Sequence, residues 1–281
     1  MQPLVAALII VSAFLHALWN AALKLQPDRE AAAVAILVIA IAVSAAALGT
    51  QNGPAFPATT GLLWALAAGV CEGGYLVTLV LGFREAPLGV VYPIARGGAV
   101  AMVWPVSALW LGEVITARSA AGAVAVSTGL VLVGLERRAS TSARGVFWAS
   151  LCALFIAGYH LCYKCALATG ALPSAVFTAA LAVSLPVNVA RLGNGGWART
   201  LATLRADPLA IAAAGVLCAT SFLVFLSALS RGGAGAAATL RNTSVVFALL
   251  LAWLIGERPG RTQIIGTLGV ALGAMLLGWP R

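Results

Sequence analysis

The sequence contains few charged residues for its length. Asp, Glu, Lys and Arg make up only 9% of the 281 residues, whereas hydrophobic residues make up 62%. A soluble domain typically carries about 25% charged residues. So few charges cannot cover the surface of a soluble globule of this size. The composition therefore argues against soluble enzymes, nucleic-acid-binding domains and secreted disulfide scaffolds.

Cysteine and histidine are also scarce. The five cysteines all lie inside apolar runs, and the pair Cys162-x-x-Cys165 has no second pair to complete a zinc site. We therefore expect no structural disulfide, no metal and no cofactor. The two histidines, His16 and His160, could in principle bind a haem, so a haem-binding membrane redox protein stays as a minor alternative.

Motifs for nucleotide hydrolysis and nucleophilic catalysis are missing. The chain has no G-x-x-x-x-G-K-[ST] sequence, so ATP is not expected to be the direct energy source. It has no G-x-S-x-G sequence of the kind that positions a catalytic serine. We expect a protein that is not an enzyme.

Long apolar runs recur along the whole chain. Each is about twenty residues long, which is the length that a helix needs to cross the hydrocarbon core of a bilayer. The sequence therefore predicts an all-α integral membrane protein with ten transmembrane helices in the lipid bilayer. Turn residues and charges place the spans at about 3–25, 31–49, 60–83, 88–111, 119–135, 145–168, 173–192, 208–229, 235–255 and 262–279.

The two halves of the sequence repeat each other. Residues 1–138 would form one five-helix repeat and residues 143–281 the other. Because five is an odd number of spans, the second repeat would have inverted topology, an architecture of transporters whose substrate site lies between the repeats. The matching positions are Trp19-Asn20 and Lys24 with Tyr159-His160 and Lys164, Arg96 with Arg241, and Gly112-Glu113, Gly122 and Gly129 with Gly256-Glu257, Gly266 and Gly273.

Three local motifs resemble those of a known family. They are His16-Ala-x-Trp19-Asn20 followed by Lys24, Tyr92-Pro93-x-Ala95-Arg96, and the two Gly-Glu pairs at 112–113 and 256–257. The pattern resembles the EamA-type transporters of the drug/metabolite transporter superfamily. The resemblance implies two EamA-like repeats in a multi-pass protein of the cell (inner) membrane. It also implies a permease that moves small metabolites by alternating access, often as an exporter, and a monomer or homodimer.

The distribution of loop charges gives an expectation for orientation. Eleven lysines and arginines fall in the predicted loops of one side and three in those of the other. By the positive-inside rule the richer side faces the cytoplasm, which places both termini outside. The family resemblance implies cytoplasmic termini instead.

Four charged residues lie inside predicted spans and away from the terminal residues of those spans, where a charge costs at least about 2.5–3.5 kcal/mol on the insertion scale. Glu72 is the one acid near the middle of a span, and Arg96, Arg241 and Lys164 are the cations. We expect the cations to bind the substrate, because the arginine fork suits carboxylates and phosphates. Glu72 would bind substrate or couple transport to protons. The structural alternative is that Glu72 simply neutralises one of the arginines.

Polar residues at helical spacing extend this predicted site. His16, Asn20 and Lys24 share one face of the first span, and His160 and Lys164 do so on the sixth. Lys24 lies at a helix end, where snorkelling to the interface explains it without a function. The predicted substrate-binding set is His16, Trp19, Asn20, Glu72, Tyr92, Arg96, His160, Lys164, Arg241 and Asn242.

Charge in this set indicates the substrate class. Three cations against one acid favour an anionic or zwitterionic metabolite, such as an amino acid, over a purely cationic drug. The sequence therefore predicts a secondary-active transporter of a small metabolite, with proton coupling through Glu72. A lipid or isoprenoid-phosphate flippase on the same fold is the alternative, since it would use the same arginines. No nucleic acid is expected as a partner.

Overall fold

In a computed structural model, residues 3–110, 116–135, 142–231 and 241–278 are described, and these residues form eleven α-helices. The helices are α1 (Pro3–Leu25), α2 (Arg29–Gly49), α3 (Thr59–Glu85), α4 (Leu88–Trp110), α5 (Ala117–Leu135), α6 (Ala143–Ala168), α7 (Pro173–Leu192), α8 (Gly196–Ala206), α9 (Pro208–Arg231), α10 (Ser244–Leu254) and α11 (Arg261–Gly278). The ninth predicted span, 235–255, begins outside the described residues, and α10 occupies its second half.

Capping residues explain where several helices begin. The Asp28 side chain accepts a hydrogen bond from Ala31 N at the start of α2, and Ser142 accepts one from Gly145 N at the start of α6. These short polar side chains satisfy backbone donors that a helix start leaves free. Pro173 occupies the first turn of α7, where its missing N–H costs nothing.

Six helices in the described part of the chain are long and apolar enough to cross a membrane. They lie within α1, α2, α3, α6, α7 and α9. Shorter apolar stretches lie in α4, α5 and α10. Large apolar side chains point outward, among them Val70 at 61% exposed and Val124 at 65%. This surface fits a lipid environment and a multi-pass membrane protein.

The helix α8 lies between the predicted spans 173–192 and 208–229, where the sequence predicts no span because residues 193–207 contain no long apolar run. The helix is amphipathic instead: Gly196 and Thr200 are buried, whereas Trp197 and Leu201 are exposed one turn apart. A short helix with an exposed Trp next to arginines is typical of the membrane–water interface.

Helices from the first and second halves pack on each other. From the first half, α3 packs on α6 and α7, and α4 packs on α6. In the corresponding contacts of the second half, α9 packs on α1 and α2, and α10 packs on α1. Two further pairs, α2 with α7 and α5 with α11, join the halves directly.

Glycines bring α5 and α11 into backbone contact. A Cβ atom added at Gly129 would lie 2.5 Å from the carbonyl oxygen of Gly266, and one at Gly273 would lie 2.6 Å from that of Gly122. The contacts run from the start of one helix to the end of the other, so the two helices are antiparallel. Small residues permit this close approach, as in other membrane helix pairs.

An ion-pair network joins several helices at one end of the bundle. Glu30 at the start of α2 lies 2.9 Å from Arg191, 3.3 Å from Arg84 and 3.8 Å from Arg199. Asp28 forms a further pair with Arg199 at 2.8 Å. The network therefore connects α2 to the ends of α3 and α7 and to α8.

Candidate substrate site

A cluster of polar side chains is buried in the interior of the bundle. Arg241 is 1% exposed, and Arg96 and Glu72 are each 3% exposed. His16 and Asn20 are fully buried beside them. Burial of two guanidinium groups is expensive unless each finds partners. The contacts of each residue therefore decide what the cluster does.

Arg241 has the most contacts. It immediately precedes the turn that leads into α10. Its Nη1 atom donates to Ser12 Oγ and to the carbonyl oxygen of Ser221, both at 3.3 Å. Its guanidinium carbon lies 4.0 Å from the ring centroid of Phe225 and 4.6 Å from that of Phe222, so cation–π attraction adds to these bonds.

His16 is held in one tautomer by its neighbours. Both Arg241 Nη2, at 3.1 Å, and Trp19 Nε1, at 3.2 Å, reach its Nδ1 atom. Because arginine and indole nitrogens only donate, Nδ1 must accept and the ring proton must lie on Nε2. That Nε2 atom is buried without a partner.

Asn20 lies one turn further along α1. Its Nδ2 atom donates to the His16 carbonyl oxygen at 2.7 Å, and its Oδ1 atom is buried without a partner. The predicted stripe on α1 is therefore present for His16 and Asn20.

Arg96 and Tyr92 form the α4 side of the cluster. The guanidinium carbon of Arg96 lies 5.9 Å from the Tyr92 ring centroid, and that ring lies 6.2 Å from the His16 ring. Arg96 Nη2 and the Tyr92 hydroxyl are both buried without a hydrogen-bond partner. Arg96 thus keeps donor capacity that the surrounding residues do not use.

Glu72 has a partner outside the predicted substrate-binding set. The hydroxyl of Tyr163 on α6 donates to Glu72 Oε1 at 2.9 Å. Among the described residues, no carboxylate oxygen lies within 4 Å of Arg96 or Arg241, so Glu72 forms no direct ion pair with either. A signal was present in the sequence, since Tyr163 follows His160 by three residues on the polar face of α6.

Aromatic rings connect Glu72 to the arginines. The Tyr163 ring lies 5.4 Å from that of Tyr159, and the Tyr159 ring lies 6.1 Å from that of Phe222, which contacts Arg241. Tyr75 approaches Tyr159 at 5.5 Å from α3. The predicted residues from α1, α3, α4 and α6 therefore belong to one continuous interior cluster.

Many polar atoms of this interior have no hydrogen-bond partner. Such atoms are rare in folded proteins, because each one buried costs free energy. Within the described part of the chain they are His16 Nε2, Asn20 Oδ1, Tyr75 Oη, Tyr92 Oη, Arg96 Nη2, Tyr159 Oη, Arg241 Nε, Asn242 Nδ2, Ser244 Oγ and Thr267 Oγ1. Most belong to residues of the cluster.

The other predicted residues contribute less. His160 stacks on Tyr159 at 4.5 Å and its Nδ1 lies 2.8 Å from the Ile156 carbonyl oxygen, so it lies at the edge of the cluster. Lys164 is half-buried on α6, and no ion pair joins it to Glu72. Lys24 donates to the carbonyl oxygens of Phe83 and Ala86 at the end of α3, which is a structural role.

Glu257, the acid of the second Gly-Glu pair, has backbone partners in the structure. Glu257 accepts hydrogen bonds from the backbone N–H groups of Leu88 and Gly89, at 2.8 and 3.1 Å. A carboxylate suits that place, because the start of α4 carries free N–H donors and positive partial charge. Glu113 lies outside the described residues.

Comparisons with known proteins agree with this architecture. Residues 143–279 match the EamA-like transporter family. No curated protein matches the chain. A crystal structure described only as that of a protein is 19% identical, with a TM-score of 0.65 over 98% of this chain and 96% of the other, which is a likeness of fold alone. Residues 143–279 of this chain therefore belong to the EamA-like transporter family, a family of membrane transporters.

Proposed function

We propose that the protein is a secondary-active transporter, working as an exporter, that moves a small anionic or zwitterionic metabolite across the inner membrane by alternating access. The observation that carries this proposal is the buried cluster around Arg96 and Arg241. Two guanidinium groups lie in the interior, neither has a carboxylate partner among the described residues, and several of their neighbours keep unused hydrogen-bonding atoms. A ligand that passes through would supply the missing partners.

The proposed architecture is ten spans in two inverted repeats of residues 1–138 and 143–281. The helix contacts support it. In the two repeats α1 corresponds to α6, α3 to α9 and α4 to α10. The contact of α3 with α6 therefore has its counterpart in that of α9 with α1, and the contact of α4 with α6 has its counterpart in that of α10 with α1. The glycine contacts support it too. Gly122 with Gly273 is the repeat image of Gly266 with Gly129, and an antiparallel pair fits an axis in the membrane plane.

Access to the cluster requires a conformational change. Arg96, Arg241, Glu72, His16 and Asn20 are each at most 3% exposed, so neither side of the membrane reaches them in this state. This state is the closed form that an alternating-access cycle passes through. Opening would come from movement of the two halves around the site.

Glu72 is proposed as the proton-coupling residue. It is a buried acid next to the cluster, and its partner Tyr163 is a neutral hydroxyl rather than a cation. A hydroxyl can hydrogen-bond to the carboxyl group in both its charged and neutral forms. The side chain can therefore change protonation without breaking an ion pair.

The test is ligand binding by the full chain purified in detergent. A panel of small organic acids, amino acids and a lipid phosphate is screened by thermal shift, and the strongest ligand is measured in proteoliposomes. Arg96→Ala should abolish both the shift and the exchange of that ligand. Arg205→Ala removes an exposed arginine of α8 and is the matched control, which should leave both unchanged. Equal binding by wild type and Arg96→Ala would contradict the proposal.

A further inference from the structure

A pair of thiols lies where α3 packs on α6. Cys71 is on α3 and Cys162 is on α6, and their side chains lie in hydrogen-bond contact with each other. Glycine makes room for this approach, because a Cβ atom added at Gly158, one turn before Cys162, would lie 2.8 Å from Cys71 Sγ. Both cysteines are free and partly exposed. The two sulfur atoms therefore meet at the boundary between the first and second halves of the chain.

The thiol pair is next to the proposed coupling residue. Cys71 directly precedes Glu72, and Cys162 directly precedes Tyr163, whose hydroxyl donates to Glu72 at 2.9 Å. Consecutive residues of a helix point in different directions, so the same level of α3 and α6 carries one buried pair and one partly exposed pair. A covalent bond between the two sulfur atoms would fix the spacing of the helices at Glu72.

The symmetry of the proposed repeats does not require both thiols. At the offsets of their neighbours, Cys71 corresponds to Cys218 and Cys162 corresponds to Ala22. The counterpart contact, that of α9 with α1, therefore has one cysteine, and Cys218 is buried. Alanine is enough for packing at the position that Cys162 occupies, so the second thiol needs another explanation.

The pair lies deep in the membrane-spanning part of the bundle. Counted from Thr59, Cys71 is the thirteenth of the 27 residues of α3, so it lies about 18 Å along the helix axis. The hydrocarbon core of a bilayer is about 30 Å thick, which places this depth near its middle. A hydroperoxide carried by an organic or lipid chain dissolves there, whereas a charged oxidant does not. An oxidant of that class therefore reaches the two sulfur atoms.

We propose that a membrane-soluble hydroperoxide oxidises Cys71 and Cys162 to a disulfide, which holds α3 against α6 and keeps the substrate cluster closed. One sulfur attacks the hydroperoxide, the O–O bond breaks, and an alcohol leaves with the thiol proton, so that a sulfenic acid remains. The second thiol attacks that sulfur, the S–O bond breaks, and water leaves. The two sulfur atoms together lose two electrons, which the peroxide oxygens accept. The closure rests on the proposed function, whereas formation of the disulfide does not.

The first test maps the disulfide in the full chain, reconstituted in lipid vesicles and treated with cumene hydroperoxide. The five free thiols of the chain should fall by two, and peptide mapping without reduction should find Cys71 joined to Cys162. Cys71→Ser and Cys162→Ser should each abolish this disulfide. Cys218→Ser is the matched control, because it removes the counterpart of Cys71 and should leave the disulfide in place.

The second test measures whether the disulfide keeps the cluster closed. Glu72 is 3% exposed in this state, so a water-soluble carbodiimide with an added amine modifies it only when the cluster opens to water. Treatment with cumene hydroperoxide should slow the modification of Glu72 several-fold, and dithiothreitol should restore the original rate. In Cys162→Ser the rate should not respond to the hydroperoxide. Peptide mass spectrometry measures the modification without knowledge of the substrate.

The outcomes separate the thiol pair from the function on which its effect rests. Five remaining free thiols, or a disulfide between Cys162 and Cys165 instead, would overturn the proposal. A disulfide between Cys71 and Cys162 that leaves the modification of Glu72 unchanged overturns the closure and leaves a transporter in place. Absence of Glu72 modification even in the reduced protein contradicts alternating access, and the closure with it. The wild-type mapping decides the thiol pair even if a serine variant does not fold.

Discussion

Arg96 and Arg241 correspond to each other in the two halves of the sequence, yet their surroundings differ. Arg241 is bonded to Ser12, to Ser221 and to His16 and is packed against two phenylalanine rings. Arg96 lies beside Tyr92 and keeps an unpartnered Nη2 atom. Arg241 therefore fixes α1, α9 and the start of α10, and each arginine keeps one unpartnered nitrogen, Nε of Arg241 and Nη2 of Arg96.

The coupling role of Glu72 can be tested at the same scale. Glu72→Gln keeps the size of the side chain but removes its titration, so uphill transport should be lost while substrate exchange persists. Concentrative uptake and counterflow in proteoliposomes measure the two activities. Glu85→Gln is the control, because Glu85 is half-buried at a helix end and accepts from Ser142. Normal concentrative uptake by Glu72→Gln would remove the coupling role.

Among the described elements, α5 and α11 form a seam of close backbone contacts. Their backbones meet at Gly129 and Gly266 and again at Gly122 and Gly273, two helical turns apart. Neither contact leaves room for a methyl group. The seam therefore depends on glycine at specific positions and resists separation during a transport cycle.

A single methyl group should weaken this seam. Gly129→Ala places a Cβ atom 2.5 Å from a backbone oxygen that cannot rotate away, so the free energy of unfolding should fall by about 1–3 kcal/mol. The measurement is the thermal unfolding midpoint in detergent. Gly49→Ala is the control, since nothing lies within 4 Å of its added Cβ atom. Equal unfolding midpoints for the two variants would contradict the claim that the contact between α5 and α11 requires glycine at position 129.

The sequence was informative where a physical signal is local. Apolar runs predicted the end of α1 and both ends of α7, because span length and flanking turns suffice there. The helix α8 was missed, since eleven amphipathic residues carry no span signal. Ser12, Ser221 and Tyr163 were missed because their bonds join residues far apart in sequence. The repeat domains and the roles of the site residues stay predictions.

Across the described part of the molecule, the two ends of the α2–α7 pair are held by different kinds of contact. At one end Glu30 lies among three arginines of α3, α7 and α8. At the other end the α2–α7 contact uses neutral hydrogen bonds, from Ser174 Oγ to Gln51 Oε1 at 2.9 Å and from Leu172 N to Ala55 O at 3.1 Å. This asymmetry predicts that the ion pairs favour closure of the first end.

Loss of Glu30 should open that end more often. Ala33 lines the small cavity beside Glu30, so Ala33→Cys reports its accessibility to an impermeant thiol reagent. In a background without the natural cysteines, adding Glu30→Gln should accelerate labelling about two- to fivefold, as expected for partly exposed ion pairs. High salt should reproduce part of the effect. Adding Ser174→Ala at the opposite end should not accelerate it, and an unchanged rate with Glu30→Gln would contradict the role.

The enforced tautomer of His16 has a consequence for spectroscopy. With only two imidazoles in the chain, nitrogen-15 labelling of histidine yields a spectrum of four ring signals. The His16 signals should be those of a neutral ring protonated at Nε2. The Nδ1 signal reports on the bonds to Trp19 and Arg241, and the Nε2 signal reports on the unpartnered side of the ring. When an acid occupies the cluster, the Nε2 resonance should move while Nδ1, held by Trp19 and Arg241, stays near its resting frequency.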